Sequence, residues 1–218
     1  MKRLRGLGWL AYLTVGTALL LAFLYAPPEA VMGEMVRFLY FHVGSAWVAF
    51  LAFGITALAS ILFLWQRRFL YDQWAAASAE IGVLFTAITL ITGMFWARAV
   101  WNVWWRWEPR LTTTLILWFI FVAYLLIRSA IEDRQRRGVV AAVVGLVGFA
   151  NVPLVYLASR LWGGFHPAGA HLEGRMVVAL LVSVLAFTVL YGYLFLLALR
   201  VRRLEERTHH LYWGGDSF

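Results

Sequence analysis

The sequence predicts an all-α, polytopic membrane protein with six transmembrane helices and both termini cytoplasmic. Three observations carry that expectation. Of the 218 residues, 63% are hydrophobic and only 14% charged, with a mean hydropathy of +0.76. A soluble globular domain carries about 25% charged and about 45–50% apolar residues, so no soluble core of this size would hide so much apolar surface. Second, charge divides the chain into six apolar runs near the ~20 residues a bilayer span requires. Third, basic residues distribute unevenly between alternate connecting segments.

The first run, 7–25, follows Lys2, Arg3 and Arg5. It resembles a secretory signal, but the apolar stretch is long for one and no clear small-residue cleavage site precedes Pro27-Pro28, so it is read as a retained first helix. The remaining runs are 41–65, 79–97, 111–127, 139–158 and 176–199. With the N-terminus inside, the inner segments hold 13 basic residues and the outer segments six: Arg37, Arg98, Arg106, Arg110, Arg160 and Arg175. Both termini are therefore expected in the cytoplasm. The six spans leave short loops, and neither a repeat nor a low-complexity linker interrupts them, so residues 1–218 read as one membrane domain. The net charge of +8 reports orientation and anionic lipid rather than nucleic acid. The absence of cysteine excludes disulfides, thiolate catalysis, zinc–thiolate sites and iron–sulfur clusters.

Three of the six outer arginines fall in one short loop, 98–110. There Trp101, Trp104, Trp105 and Trp107 stand beside Arg98, Arg106 and Arg110. Flat indoles offer stacking and dispersion contact, and guanidinium groups bind carboxylates in bidentate fashion. That combination suits a broad, planar, apolar ligand with anionic edges. The alternative is an interfacial segment with Trp among lipid headgroups and Arg on phosphate. Pro109 restricts the loop where it enters the fourth span.

Two histidines fall on the same expected face: His42 at the start of the second span, and His166 in the stretch Leu161-Trp162-Gly163-Gly164-Phe165-His166-Pro167. Beside a Trp/Arg surface they suggest axial ligands to a haem iron. His171 rivals His166, whereas His209 and His210 read as tail residues on the inner side. Asn151, two residues before Pro153, reads as a partner for a carbonyl that the proline leaves unbonded, at a kink that sets the approach of the His166 loop. Glu29, Glu34 and Glu80 form no readable carboxylate pair. With no nucleophile–base pattern and no phosphate-cradling glycine loop, any ATP hydrolysis belongs to a partner.

The run Trp101-Asn102-Val103-Trp104-Trp105-Arg106-Trp107-Glu108-Pro109-Arg110-Leu111-Thr112 resembles the tryptophan-rich signature of the haem-handling "WWD domain" family of cytochrome c maturation proteins. Asn102 stands where that family usually has Gly, and Glu108 where it has Asp. The stretches 42–47, 151–153 and 162–166 resemble family patterns in the same order. Length and span count are similar to the CcmC members, the longer CcmF and CcsA types having more spans. The resemblance implies a haem transport and delivery component rather than an enzyme. It implies haem b held on the four tryptophans and ligated by His42 and His166, with Arg98, Arg106 or Arg110 on the propionates. Its implied partners are a periplasmic haem chaperone of the CcmE type, the CcmA ATPase, the CcmB permease and the small membrane protein CcmD. Two other classes fit the composition: a permease-like subunit for an organic anion, and an assembly subunit whose Trp loop is a lipid anchor.

Overall fold

A computed structural model describes residues 2–164 and 172–213, and over these it is helical with no strand. Helix α1 (Lys2–Leu20) runs on into a π-helical turn, Leu21–Tyr25, closed by the Ala26 amide donating to the Leu21 carbonyl at 2.8 Å. Ala26 turns to extended backbone, as a residue preceding proline must. Arg37 donates to the Ala22 carbonyl inside that turn. The following helices are α2 (Val36–Gln66), α3 (Phe69–Trp101), α4 (Pro109–Ala130), α5 (Arg134–Trp162) and α6 (Gly174–Trp213). All six are long and apolar enough to cross a membrane.

The helices outrun the predicted apolar windows. The 33 residues of α3 extend about 50 Å at 1.5 Å per residue, against a hydrocarbon core of ~30 Å. Residues 69–78, outside the predicted third span, form the first turns of α3. The α2–α3 connection shrinks to Arg67 and Arg68. Arg67 adopts a left-handed φ of 55° and its amide donates to the Phe63 carbonyl at 2.8 Å, an αL C-cap. Pro109 occupies the first turn of α4, where its missing N–H costs nothing. Asp133 caps α5 by accepting from the Arg136 amide at 2.6 Å.

α2 and α3 form a central antiparallel hairpin, flanked by α4–α5 on one side and α1–α6 on the other. Phe53, Leu117, Phe121 and Tyr124 are the large buried residues of the cluster at α2, α3, α4 and α5. Val48, Ile81, Phe85 and Tyr191 knit α2 and α3 to α6, and Tyr40 and Met176 join α2 and α6 beside the π turn. Small residues let the hairpin close up. A Cβ on Gly82 would lie 2.4 Å from the Phe53 ring, so the glycine sets how near α3 approaches α2.

The spans also hold more charge than their apolar windows indicate. Asp72, in the first turn of α3, is buried, and Arg128, in the last turn of α4, is largely covered; the two form a two-pronged ion pair at 2.5 and 2.9 Å. Nearby at the same end, Arg202 of α6 pairs with Glu80 of α3. Glu206 accepts from Gln73 at 2.7 Å and from Arg134 at 3.0 Å. This end of the bundle is tied by ions, and the opposite end carries the tryptophan loop.

Candidate functional site

At the tryptophan end, α2, α3, α4 and α5 surround a cavity of about 330 Å³, within the usual range of small-molecule pockets. His42, Trp47, Trp96, Trp101, Trp105, Arg110 and Tyr156 are among its walls, and Thr86, Leu117 and Val155 line it deeper in the bundle. The four helices converge here because their apolar faces meet just below, around Leu117 and Val155.

His42 sits in the second turn of α2 and is held from α3. Its Nδ1 lies 3.1 Å from the Thr92 hydroxyl, which itself donates to the Ile88 carbonyl at 2.7 Å. A hydroxyl has one proton, so with that proton on Ile88 the oxygen accepts from Nδ1–H, and the lone pair of the imidazole falls on Nε2. Gly93 leaves room for the ring, since a Cβ there would stand 3.1 Å from His42 Cε1. On the next turn, Trp96 stacks on the imidazole with centroids 6.5 Å apart and planes at 30°.

The loop after α3 is built from its own sequence. Asn102 ends the helix with a left-handed φ of 58°, a conformation Asn tolerates better than most residues. It thus makes a turn of the kind that glycine most easily supplies. Arg98 donates to the Asn102 carbonyl at 2.8 Å and lies over the Trp104 ring at 5.8 Å. The four predicted tryptophans then separate. Trp101 and Trp105 line the cavity, whereas Trp104 and Trp107 are 50% and 75% exposed. Trp104 packs edge-on against Phe95, and Trp107 against Trp105. Of the three predicted arginines, Arg110 lines the cavity, while Arg98 and Arg106 are exposed. Buried Trp105 Nε1 has no hydrogen-bond partner among the described residues.

His166 and its rival His171 lie outside the described residues. The chain leading to them is described as far as Gly164, with α5 ending at Trp162 beside the tryptophan loop. Gly164 has φ 139°, and a Cβ on it would stand 3.1 Å from Glu108 Oε2. Its close approach to the buried Glu108 brings the start of the 163–171 segment against the end of the tryptophan loop. α5 continues as a helix through Pro153. Asn151 does not serve a carbonyl of its own helix: its Nδ2 donates to the Thr113 carbonyl of α4 at 2.9 Å. That bond ties α5 to α4 one turn beyond Arg110.

Thr92, Gly93 and Trp96 are site residues that the apolar windows of the sequence conceal. Their signal is register: His42 and Thr92 each lie 25 residues from Arg67, and two antiparallel helices folded at one turn pair such positions.

These features define a class: a multi-pass helical membrane protein with an aromatic, histidine-bearing cavity at one end of its bundle. A family model described as "CcmC: Heme exporter protein C" matches residues 2–213, and the chain belongs to that family. Curated relatives named heme exporter protein C include that of Bradyrhizobium diazoefficiens, 36% identical over 218 residues covering 95% of this chain and 82% of the relative. The Rhodobacter capsulatus protein is 32% identical over 93% of this chain and 91% of its own. The protein of Escherichia coli K12 is 31% identical over 91% and 85%.

Proposed function

We propose that this chain binds haem b at the tryptophan end of its bundle, and that this end faces outward from the cytoplasmic membrane. There the chain passes haem to a periplasmic chaperone of the CcmE type, working in a haem export complex with CcmA, CcmB and CcmD for cytochrome c maturation. The observation that carries this reading is His42, held by Thr92 at the wall of a cavity lined mainly by aromatic and aliphatic side chains, with the Arg110 guanidinium among them. The names of the relatives, heme exporter protein C, agree with it.

The residues fit such a cargo. Trp101 and Trp105 give flat apolar contact, and Arg110 supplies a cation for a propionate. The buried Trp105 N–H is a donor that an anionic edge would satisfy. His42 and His166 would be the axial ligands, with His171 the alternative for the second. Exposed Trp104, Trp107, Arg98 and Arg106 leave one edge of the site open, as a handover to a chaperone requires. Two exchangeable imidazoles and dispersion contacts hold the cargo without a covalent bond, so it can leave. The excess of basic residues in the inner segments, 13 against six in the outer ones, supports an orientation with both termini cytoplasmic. A permease for an organic anion needs an open polar path, and the covered charges near the opposite end are closed on each other as Asp72–Arg128.

The test is the visible spectrum and pyridine haemochrome of the protein purified in detergent with its chaperone co-expressed. A low-spin, bis-histidine Soret band is expected, lost in His42→Ala and His166→Ala together with chaperone loading. Full loading by both variants, or a preparation that stays colourless when haem and chaperone are supplied, overturns the reading.

A further inference from the structure

We propose that Thr92 is a positioning residue for His42: its hydroxyl, anchored on the α3 backbone, fixes the imidazole in the Nδ1–H tautomer and aims Nε2 at the cavity. The inference rests on the haem-ligand reading of His42 given above. A haem-ligating histidine needs a lone pair on the nitrogen that meets the iron and a ring that does not rotate away. Donation from the other nitrogen to a fixed acceptor supplies both.

The geometry on α3 provides that acceptor. Thr92 Oγ1 is 2.7 Å from the Ile88 carbonyl and 3.2 Å from that of Thr89, so its proton is committed to the helix backbone whichever carbonyl takes it. The oxygen therefore meets His42 Nδ1 at 3.1 Å as an acceptor. As a β-branched residue, Thr92 has few χ1 choices in a helix, and those it has are set by this bond to the preceding turn. The ring also packs closely on α3 at Gly93, whose missing side chain admits it, and against the face of Trp96. α3 thus presents three residues within little more than one turn that all act on one imidazole. A serine would keep the acceptor. A valine keeps the shape of threonine and removes it.

The experiment uses the full chain in detergent, with histidine labelled with ¹⁵N. In a long-range ¹H–¹⁵N spectrum at a pH where the imidazoles are neutral, the His42 signals are assigned by their loss in His42→Ala. Wild type is expected to show the Nδ1–H tautomer, Thr92→Val a population dominated by Nε2–H, and Thr92→Ser the wild-type pattern. With haem added, Thr92→Val is expected to bind about 10- to 100-fold more weakly, as removal of such a partner does at metal sites, and Thr92→Ser to recover most of the affinity. Thr92→Ala is the second variant should valine not fold. A wild-type His42 that is mainly Nε2–H overturns the proposal. So does a Thr92→Val protein with unchanged tautomer and haem affinity within twofold of wild type. Undiminished haem ligation in His42→Ala would instead overturn the ligand reading, and the apo tautomer measurement tells the two failures apart.

Discussion

The Asp72–Arg128 pair allows a stability prediction worked from geometry. Its carboxylate and guanidinium meet in two parallel bonds of 2.5 and 2.9 Å, with the side chains only 6% and 12% exposed. The guanidinium also lies 5.7 Å from the ring centroid of buried Tyr124. Arg128→Met keeps most of the apolar stem and removes the charge, stranding the Asp72 carboxylate. Removing one partner of such a pair costs about 3–5 kcal/mol, against about 0–1 kcal/mol for an exposed one. Replacing both charges is far cheaper, because no unpaired ion remains buried. The cycle Asp72→Ala, Arg128→Met and the double variant is to be measured by equilibrium SDS titration followed by tryptophan fluorescence. Each single variant is expected to lose about 3–5 kcal/mol and the double variant less than either. Single losses near 1 kcal/mol, or a double loss equal to the sum of the singles, would refute the view that the pair is a closed, desolvated unit.

Four further outcomes are expected. Gly82→Ala should cost about 1–3 kcal/mol by the same titration, because its Cβ would stand 2.4 Å from a Phe53 ring already stacked 3.7 Å from Phe121. Gly54→Ala, whose Cβ would meet Phe149 at an ordinary 3.7 Å, should instead be neutral or stabilising by up to about 1 kcal/mol. Trp105→Phe keeps a flat face and deletes an N–H that has no partner among the described residues. The ligand-free protein should therefore stay within about 1 kcal/mol of wild type while haem leaves faster in a transfer assay to apomyoglobin, and a large loss of apo stability would contradict this. Arg110→Gln should weaken haem retention by about 10- to 100-fold, the worth of one charge-assisted hydrogen bond, while the ligation spectrum stays unchanged. A changed spectrum would make Arg110 a structural residue.

Much of this was legible in the sequence because the bilayer imposes it. Six apolar runs have one reading where every backbone polar group must be satisfied within its own helix, and a cluster of four tryptophans with three arginines has few uses besides a planar, anionic ligand or a lipid interface. Asn102 was readable as a turn residue for the same local reason. The helix ends were not, because hydropathy marks where a helix meets lipid and not where it stops. α3 therefore began ten residues before its predicted span, bringing Asp72 into the bundle. Nor could the sequence sort the aromatic loop into Trp101 and Trp105 inside and Trp104 and Trp107 outside. That sorting depends on the direction in which the chain leaves the left-handed Asn102.

Local chemistry, read along one chain, thus marked out the class of protein, the number of helices and the candidate site. Only the tertiary structure decided which atoms face one another across helices: Thr92 on His42, Asn151 on Thr113, Asp72 on Arg128. The reason is physical. Such pairs depend on the length of the α2–α3 turn and on glycines that set how near two helices approach, and both are properties of packed pairs of helices rather than of any single segment.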